Sequence, residues 1–418
     1  MNILIKAATI IDSESEFHNK TVDIHIENGF IKDIGKELKV DSEVKEVKLN
    51  NLHVSSGWFD SSVSFGEPGY EERETIENGL NVAARSGFTA IALNPITNPI
   101  IDNSANVRYL KAQATGNAVD LFPIGTLTNR AEGVDLAELF DMKKAGAIAF
   151  SDYQRSIKNP NLLKLALLYA QNFNGLVISY PQDYQIAGNG MVNEGESSTI
   201  LGLKGIPSLA EELQIARDLL ILEYTGGKLH IPTVTTAGSV KLIRDAKKNG
   251  LKVTCSISAH HLALTDEELN TFDTVFKLRP PLRTTKDRDA LYQAVLDGTI
   301  DIITSDHQPM DIEHKKVEFD NAKYGTIGLE SAFGAVNKIL GVEKTVALFT
   351  NANSVFDVEK ISITKGSKAN MSFFNPEGEY EFTSGNIKST SDNSAFIGKQ
   401  LKGKVYGIIA NNKVVIEQ

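Results

Sequence analysis

The middle of the chain alternates two kinds of pattern. Short, mostly apolar runs recur at residues 54–65, 88–93, 120–125, 147–151, 175–180, 228–234, 251–258 and 301–304. Between them lie longer stretches, including 74–86, 162–172, 208–223, 239–249 and 286–297, whose apolar residues fall three and four apart as on one helix face. Gly87, Gly146 and Gly250 stand just behind such stretches, where a left-handed helix cap favours a residue without Cβ. Strand and helix repeated about eight times predict either a (β/α)8 barrel or a doubly wound sheet. No Gly-x-Gly-x-x-Gly follows the first strand, so the barrel is preferred over a dinucleotide-binding sheet.

The two ends read differently. Residues 2–11, 21–26 and 47–54 have strand character, with a turn at Asn28-Gly29. Residues 369–374, 380–382, 403–409 and 413–416 match them, with a turn at Asn411-Asn412. Neither end alone has enough strands to bury a core, so both are expected to build one small β-sandwich domain from residues 1–53 and 364–418 around a barrel of residues 54–363.

Composition narrows the class. With 418 residues, 41% hydrophobic and 23% charged, the chain can bury a large core without cross-links. A net charge of −10 argues against the basic face that a nucleic-acid binder needs. Residues 1–11 lack the build of a signal peptide, and no apolar run reaches the ~20 residues of a membrane span. Cys255, the single cysteine, lies in an apolar run and is expected as a buried thiol in a cytoplasmic protein.

A barrel places its chemistry at the C-terminal ends of its strands. Those ends carry Ser62, Ser64 and Gly66, then Asn94 to Thr97, Asp152, Tyr180, Thr233, His260-His261 and Asp306-His307. A hydrolytic metal site needs several converging imidazoles or carboxylates with one open position. Asp152, Asp306, His230, His260, His261 and His307 are the available donors. The pair His260-His261, if extended, would point its rings to opposite sides. Packing and hydrogen bonding under the loops is the simpler account of each histidine. Asp306 is the stronger functional candidate, because a buried carboxylate is costly without a task; a bond to a loop amide explains it equally well.

The ordered segments Glu67-Pro68-Gly69-Tyr70, Ser86-Gly87-Phe88-Thr89, 146–152, Asn193-Glu194-Gly195 and 201–207 resemble the dihydroorotases of the amidohydrolase superfamily. So do His260-His261-Leu262, Pro280-Pro281-Leu282-Arg283, 297–301, Ser305-Asp306-His307 and 325–330, so the resemblance spans the whole chain. In active members it implies a zinc pair that polarises a ring amide and supplies hydroxide, with an aspartate shuttling the proton. Asp306 falls on that shuttle, and Asp152 on the carboxylate that bridges metals in one branch. The imidazole ligands fall on Ser62, Ser64, Tyr180 and Thr233. The substrate contacts fall on Gly66 in place of arginine, Ile96 and Arg279 in place of asparagines, and Met310 in place of histidine.

Hydroxyls are poor zinc ligands beside imidazole, and no thiolates compensate. The expectation is therefore a dihydroorotase-like chain without metal or hydrolase activity. By resemblance it would be a homo- or hetero-oligomer acting as scaffold or regulator of aspartate carbamoyltransferase in pyrimidine synthesis. The alternative is an active cyclic amide hydrolase with a metal-poor site around Asp152, Asp306 and His307. A third reading has Arg279 hold an anion in the vestigial pocket, with an exposed, solvated arginine as its simpler counterpart.

Overall fold

A computed structural model describes residues 1–40 and 43–417. Eight parallel strands follow one another around a barrel in chain order. They are β1 (Trp58–Val63), β2 (Phe88–Leu93), β3 (Asp120–Gly125), β4 (Ala149–Phe150), β5 (Val177–Ile178), β6 (Leu229–Ile231), β7 (Val253–Ser258) and β8 (Ile302–Thr304). The barrel closes where Ser64 N–H donates to the His307 carbonyl at 2.7 Å and Val63 bridges His307 in parallel. The short strands β4 and β5 are flanked by further single ladder bonds, such as Ser151 N–H to Gly125 and Ser179 N–H to His230.

The terminal strands join one sheet, in the order Lys413–Ile416, Gln400–Ala410, Met371–Glu381, His53–Ser56, Asn2–Ile10, Thr21–Glu27 and Phe30–Gly35, with Lys45–Val47 beside Asn2–Ile10. Apolar residues from both ends of the sequence, among them Ile5, Ile24, Val54, Phe373 and Ile409, share its core. Two sequence expectations need correction. Residues 47–54 are not one strand, because a turn near Asn51 (φ 46°) separates two. The run 54–65 is two strands in different sheets, and the chain crosses between them at Gly57. A Cβ there would lie 1.9 Å from Asn370 Oδ1 and 2.1 Å from Thr89 Oγ1, so only glycine lets the sheets approach this closely.

Trp58, at the start of β1, fastens the sheet to the barrel. Its ring centroid lies 5.0 Å from Phe333 and 5.3 Å from Phe374, and its Nε1 donates to Ser55 Oγ at 2.8 Å. The outer helix Ile76–Arg85 is started by Thr75, whose side chain accepts from Asn78 N–H. Helices Leu329–Leu340 and Val342–Val355 escape the periodicity analysis for a physical reason. The first buries most of its residues, Ser331 and Asn337 included, so its polar positions do not mark a solvent-facing side cleanly. Among the described residues, no helix is long and apolar enough to cross a membrane.

Candidate active site

Residues 60, 62 and 64 alternate onto one side of β1 and its extension. Asp60, wholly buried, accepts from Ser62 N–H at 3.1 Å, from Ser305 N–H at 3.0 Å and from the Thr304 hydroxyl. This carboxylate ties β1 to β8 and sets the register of the barrel mouth. Sequence reading passed over it, although an Asp within the apolar run 58–63 was a visible signal.

One step further out, Ser62 Oγ donates to Asp306 Oδ1 at 2.9 Å. Asn94 Nδ2 donates to Ser62 Oγ at 3.1 Å and to Ser64 Oγ at 3.2 Å. Asp306 is 7% exposed. Its pKa is pushed up to about 7, chiefly by burial, with the charge of Asp60 adding and the Ser62 bond opposing. His260 Nε2 lies 3.9 Å from Asp306 Oδ2, too far for a hydrogen bond. The Tyr180 hydroxyl is buried without a partner among the described residues, and burial raises it well above its usual range. These groups border a cavity of about 30 Å³, which Ser62, Tyr180, Thr233, Arg279 and Asp306 help to line.

The backbone here is strained. Thr233 and Asp306 adopt φ of 46° and 49°, and Tyr153 adopts 54°. A β-branched residue such as threonine pays most for that conformation. The expected strand-end positions of Ser62, Tyr180, Thr233 and Asp306 therefore meet around one point.

Asp152 does not join them. Its Oδ1 accepts Leu127 N–H and Thr128 N–H, each at 2.9 Å, and its Oδ2 accepts the Thr128 hydroxyl. It organises the loop after β3, and burial raises its pKa against those bonds. The grouping of Asp152, Asp306 and His307 around one ion is thus corrected: among the described residues, no three His, Cys, Asp or Glu side chains gather where they could hold a metal.

The histidines divide. His230 bonds Thr254 Oγ1 at 2.9 Å and Ser256 Oγ at 3.1 Å, and burial lowers its pKa to about 3. His261 bonds Ser258 Oγ at 2.6 Å and the Pro280 carbonyl at 3.1 Å, and burial lowers it to about 4. His307 Nδ1 accepts Gly328 N–H at 3.2 Å. His230 and His261 fit the packing account, and His307 fits it through one nitrogen, its buried Nε2 lacking a partner among the described residues. His260 does not, since neither of its ring nitrogens has a partner among the described residues. Nor is the His260-His261 segment extended: it lies on the short helix Ala259–Ala263, with ring centroids 4.5 Å apart.

The positions that the resemblance assigns to substrate contacts can be placed as well. At Gly66 a Cβ would lie 1.7 Å from the Tyr70 carbonyl oxygen, so this backbone admits no side chain there at all. Ile96 and Met310 line the outer cavity with apolar surface. Arg279 is not the solvated arginine of the simpler reading. It is half-buried, its guanidinium stacks 3.9 Å over Tyr324, and its Nε lacks a partner among the described residues.

The dizinc centre that the fold implies was tested against these donors, and they do not fit it. The β1 and β6 positions offer serine and threonine hydroxyls, the β5 position a phenol that burial keeps protonated, and Asp306 is engaged by Ser62.

A closed parallel barrel with its site at the strand ends, docked to a sheet built from both termini, defines an amidohydrolase-type protein. The structure is similar to L-hydantoinase (dihydropyrimidinase) from Arthrobacter aurescens, with a TM-score of 0.84 and 20% identity over 100% of this chain and 98% of that one. It is also similar to dihydropyrimidinase from Brevibacillus agri, with a TM-score of 0.83 and 18% identity over 100% and 95%. Residues 53–239 match the family described as Dihydro-orotase-like. Proteins named dihydroorotase are 38% identical in Pelotomaculum thermopropionicum and 39% identical in Acetivibrio thermocellus, each over 100% of this chain and 99% of the relative. The chain belongs to the dihydroorotase family.

Proposed function

We propose that this dihydroorotase-family chain has given up metal-dependent hydrolysis and serves pyrimidine biosynthesis as a scaffold or regulatory partner of aspartate carbamoyltransferase. The observation that carries the first half is the Ser62–Asp306 hydrogen bond, which engages the shuttle position where a metal ligand set would have to be. The second half rests on family resemblance, in which metal-less chains accompany the transferase.

A second reading is active cyclic amide hydrolysis, as in dihydroorotase. The names of full-length relatives at 38% and 39% identity favour it more directly than they favour the first. It would need a ligand set or nucleophile other than the one that the resemblance aligns.

Elemental analysis of protein purified without chelators, with a dihydroorotate hydrolysis assay on the same sample, separates the two. The first reading expects less than about a tenth of an equivalent of zinc and no turnover. Tightly held metal, or turnover abolished by Asp306→Ala, would install the second. Size-exclusion with the transferase of the same organism tests the partner, and two independent peaks at physiological concentration would reject it.

A further inference from the structure

The outer cavity at the barrel mouth, about 550 Å³, falls in the size range of small-molecule sites. Its lining mixes polar groups such as Gln154 and Gln308 with apolar and aromatic ones, Ile96, Met310, Tyr70 and Tyr184 among them. Three arginines from three separate loops line it: Arg73 after β1, Arg155 after β4 and Arg279 after β7. Its one carboxylate, Asp152, already accepts three hydrogen bonds from the loop after β3.

The arginines differ in what they have left to offer. Arg73 lies 3.6 Å from Asp311 and stacks on Tyr70. Arg155 spends one bond on the Ala131 carbonyl, at 3.1 Å, and remains exposed. Arg279 rests on Tyr324, with Tyr184 at 5.9 Å, and its buried Nε is without a partner among the described residues. Arg155, Arg279 and Tyr184 all border this one cavity. Asp152 lies within the electrostatic reach of Arg155, but Arg155 and Arg279 outnumber it, so the cavity carries a local excess of positive charge in a chain of net charge −10.

We propose that Arg155 and Arg279 bind the phosphate of a small, ring-bearing phosphomonoester in this cavity. A planar carboxylate is satisfied by one guanidinium fork, whereas a tetrahedral dianion accepts donors converging from several directions. The tyrosines supply a flat surface for the ring. The site uses neither Asp306 nor a metal and goes beyond the functional reading above.

Isothermal calorimetry of the full chain with phenyl phosphate, inorganic phosphate and benzoate tests this. Phenyl phosphate is expected to bind with a Kd below about 1 mM, inorganic phosphate more weakly, and benzoate at least about tenfold more weakly. Arg155→Gln and Arg279→Gln should each weaken phenyl phosphate by about tenfold or more, while Arg288→Gln, on a distant surface, should not. Arg155 is exposed, so its variant keeps the test valid if Arg279→Gln fails to fold. No binding at about 10 mM phenyl phosphate, equal binding of benzoate, or unchanged affinity in the Arg155 variant would overturn the proposal.

Discussion

Replacing Asp306 by asparagine keeps the shape of the side chain and an acceptor for the Ser62 hydroxyl, while removing a charge from a site that is 7% exposed. In the native chain the carboxyl titrates at about 7, against an ordinary 3.8. The unfolded chain therefore releases this proton first as pH rises. Stability is unaffected by Asp306 below about pH 4, falls between about 4 and 7, and carries the full cost above 7. At 1.36 kcal/mol per unit, that cost is at most about 4 kcal/mol. Asp306→Asn is expected to recover much of it at pH 8, about 1–2 kcal/mol at pH 5, and little near pH 4. For a chain of this length the gain at pH 8 corresponds to about 4–5 °C in Tm. Urea unfolding of both proteins at the three pH values measures it, and the difference between them isolates Asp306 from other titrating groups. A variant that is less stable at pH 8, or a native protein whose hydrolase turnover the substitution abolishes, would refute the reasoning. In a working enzyme this aspartate would be indispensable; under the proposed non-catalytic reading its charge is a burden on the fold.

Three further outcomes are expected. Arg283, buried, donates to Asn193 Oδ1 at 2.9 Å and the Ile206 carbonyl at 2.7 Å and faces the buried Glu211. Arg283→Met should therefore cost about 3–5 kcal/mol in urea unfolding, because it unpairs Asn193 Oδ1 and the Ile206 carbonyl and removes the countercharge of Glu211, which keeps its bonds from Thr235 and Thr236. Gly66→Ala should destabilise by about 1–3 kcal/mol or more, through the Tyr70 carbonyl. For the same reason Gly66→Arg should not create a substrate contact, as a dihydroorotate titration can check. Cys255, whose pKa burial raises to about 12, should resist a thiol reagent at pH 8 in the folded chain and react fully once denatured.

The sequence by itself determined the barrel and its strand ends. Alternation, helical spacing and turn glycines are local properties, and a barrel turns strand order into position. Thus Ser62, Tyr180, Thr233 and Asp306 could be assigned to one mouth before any coordinate was known. Only the tertiary structure decided where their side chains turn. Asp152 does not reach the inner cavity beside Asp306, because the loop after β3 presents two amides and a hydroxyl that satisfy it. His260 shares a short helix with His261, where a run of two residues carries no period to read. Arg279 stacks on Tyr324, 45 positions away in the chain, and Asp60 locks β8 through Thr304 and Ser305, far beyond any local window. Burial, which sets the charge of Asp306 and the availability of each arginine, is a sum over neighbours brought together by folding. No single stretch of sequence contains that sum.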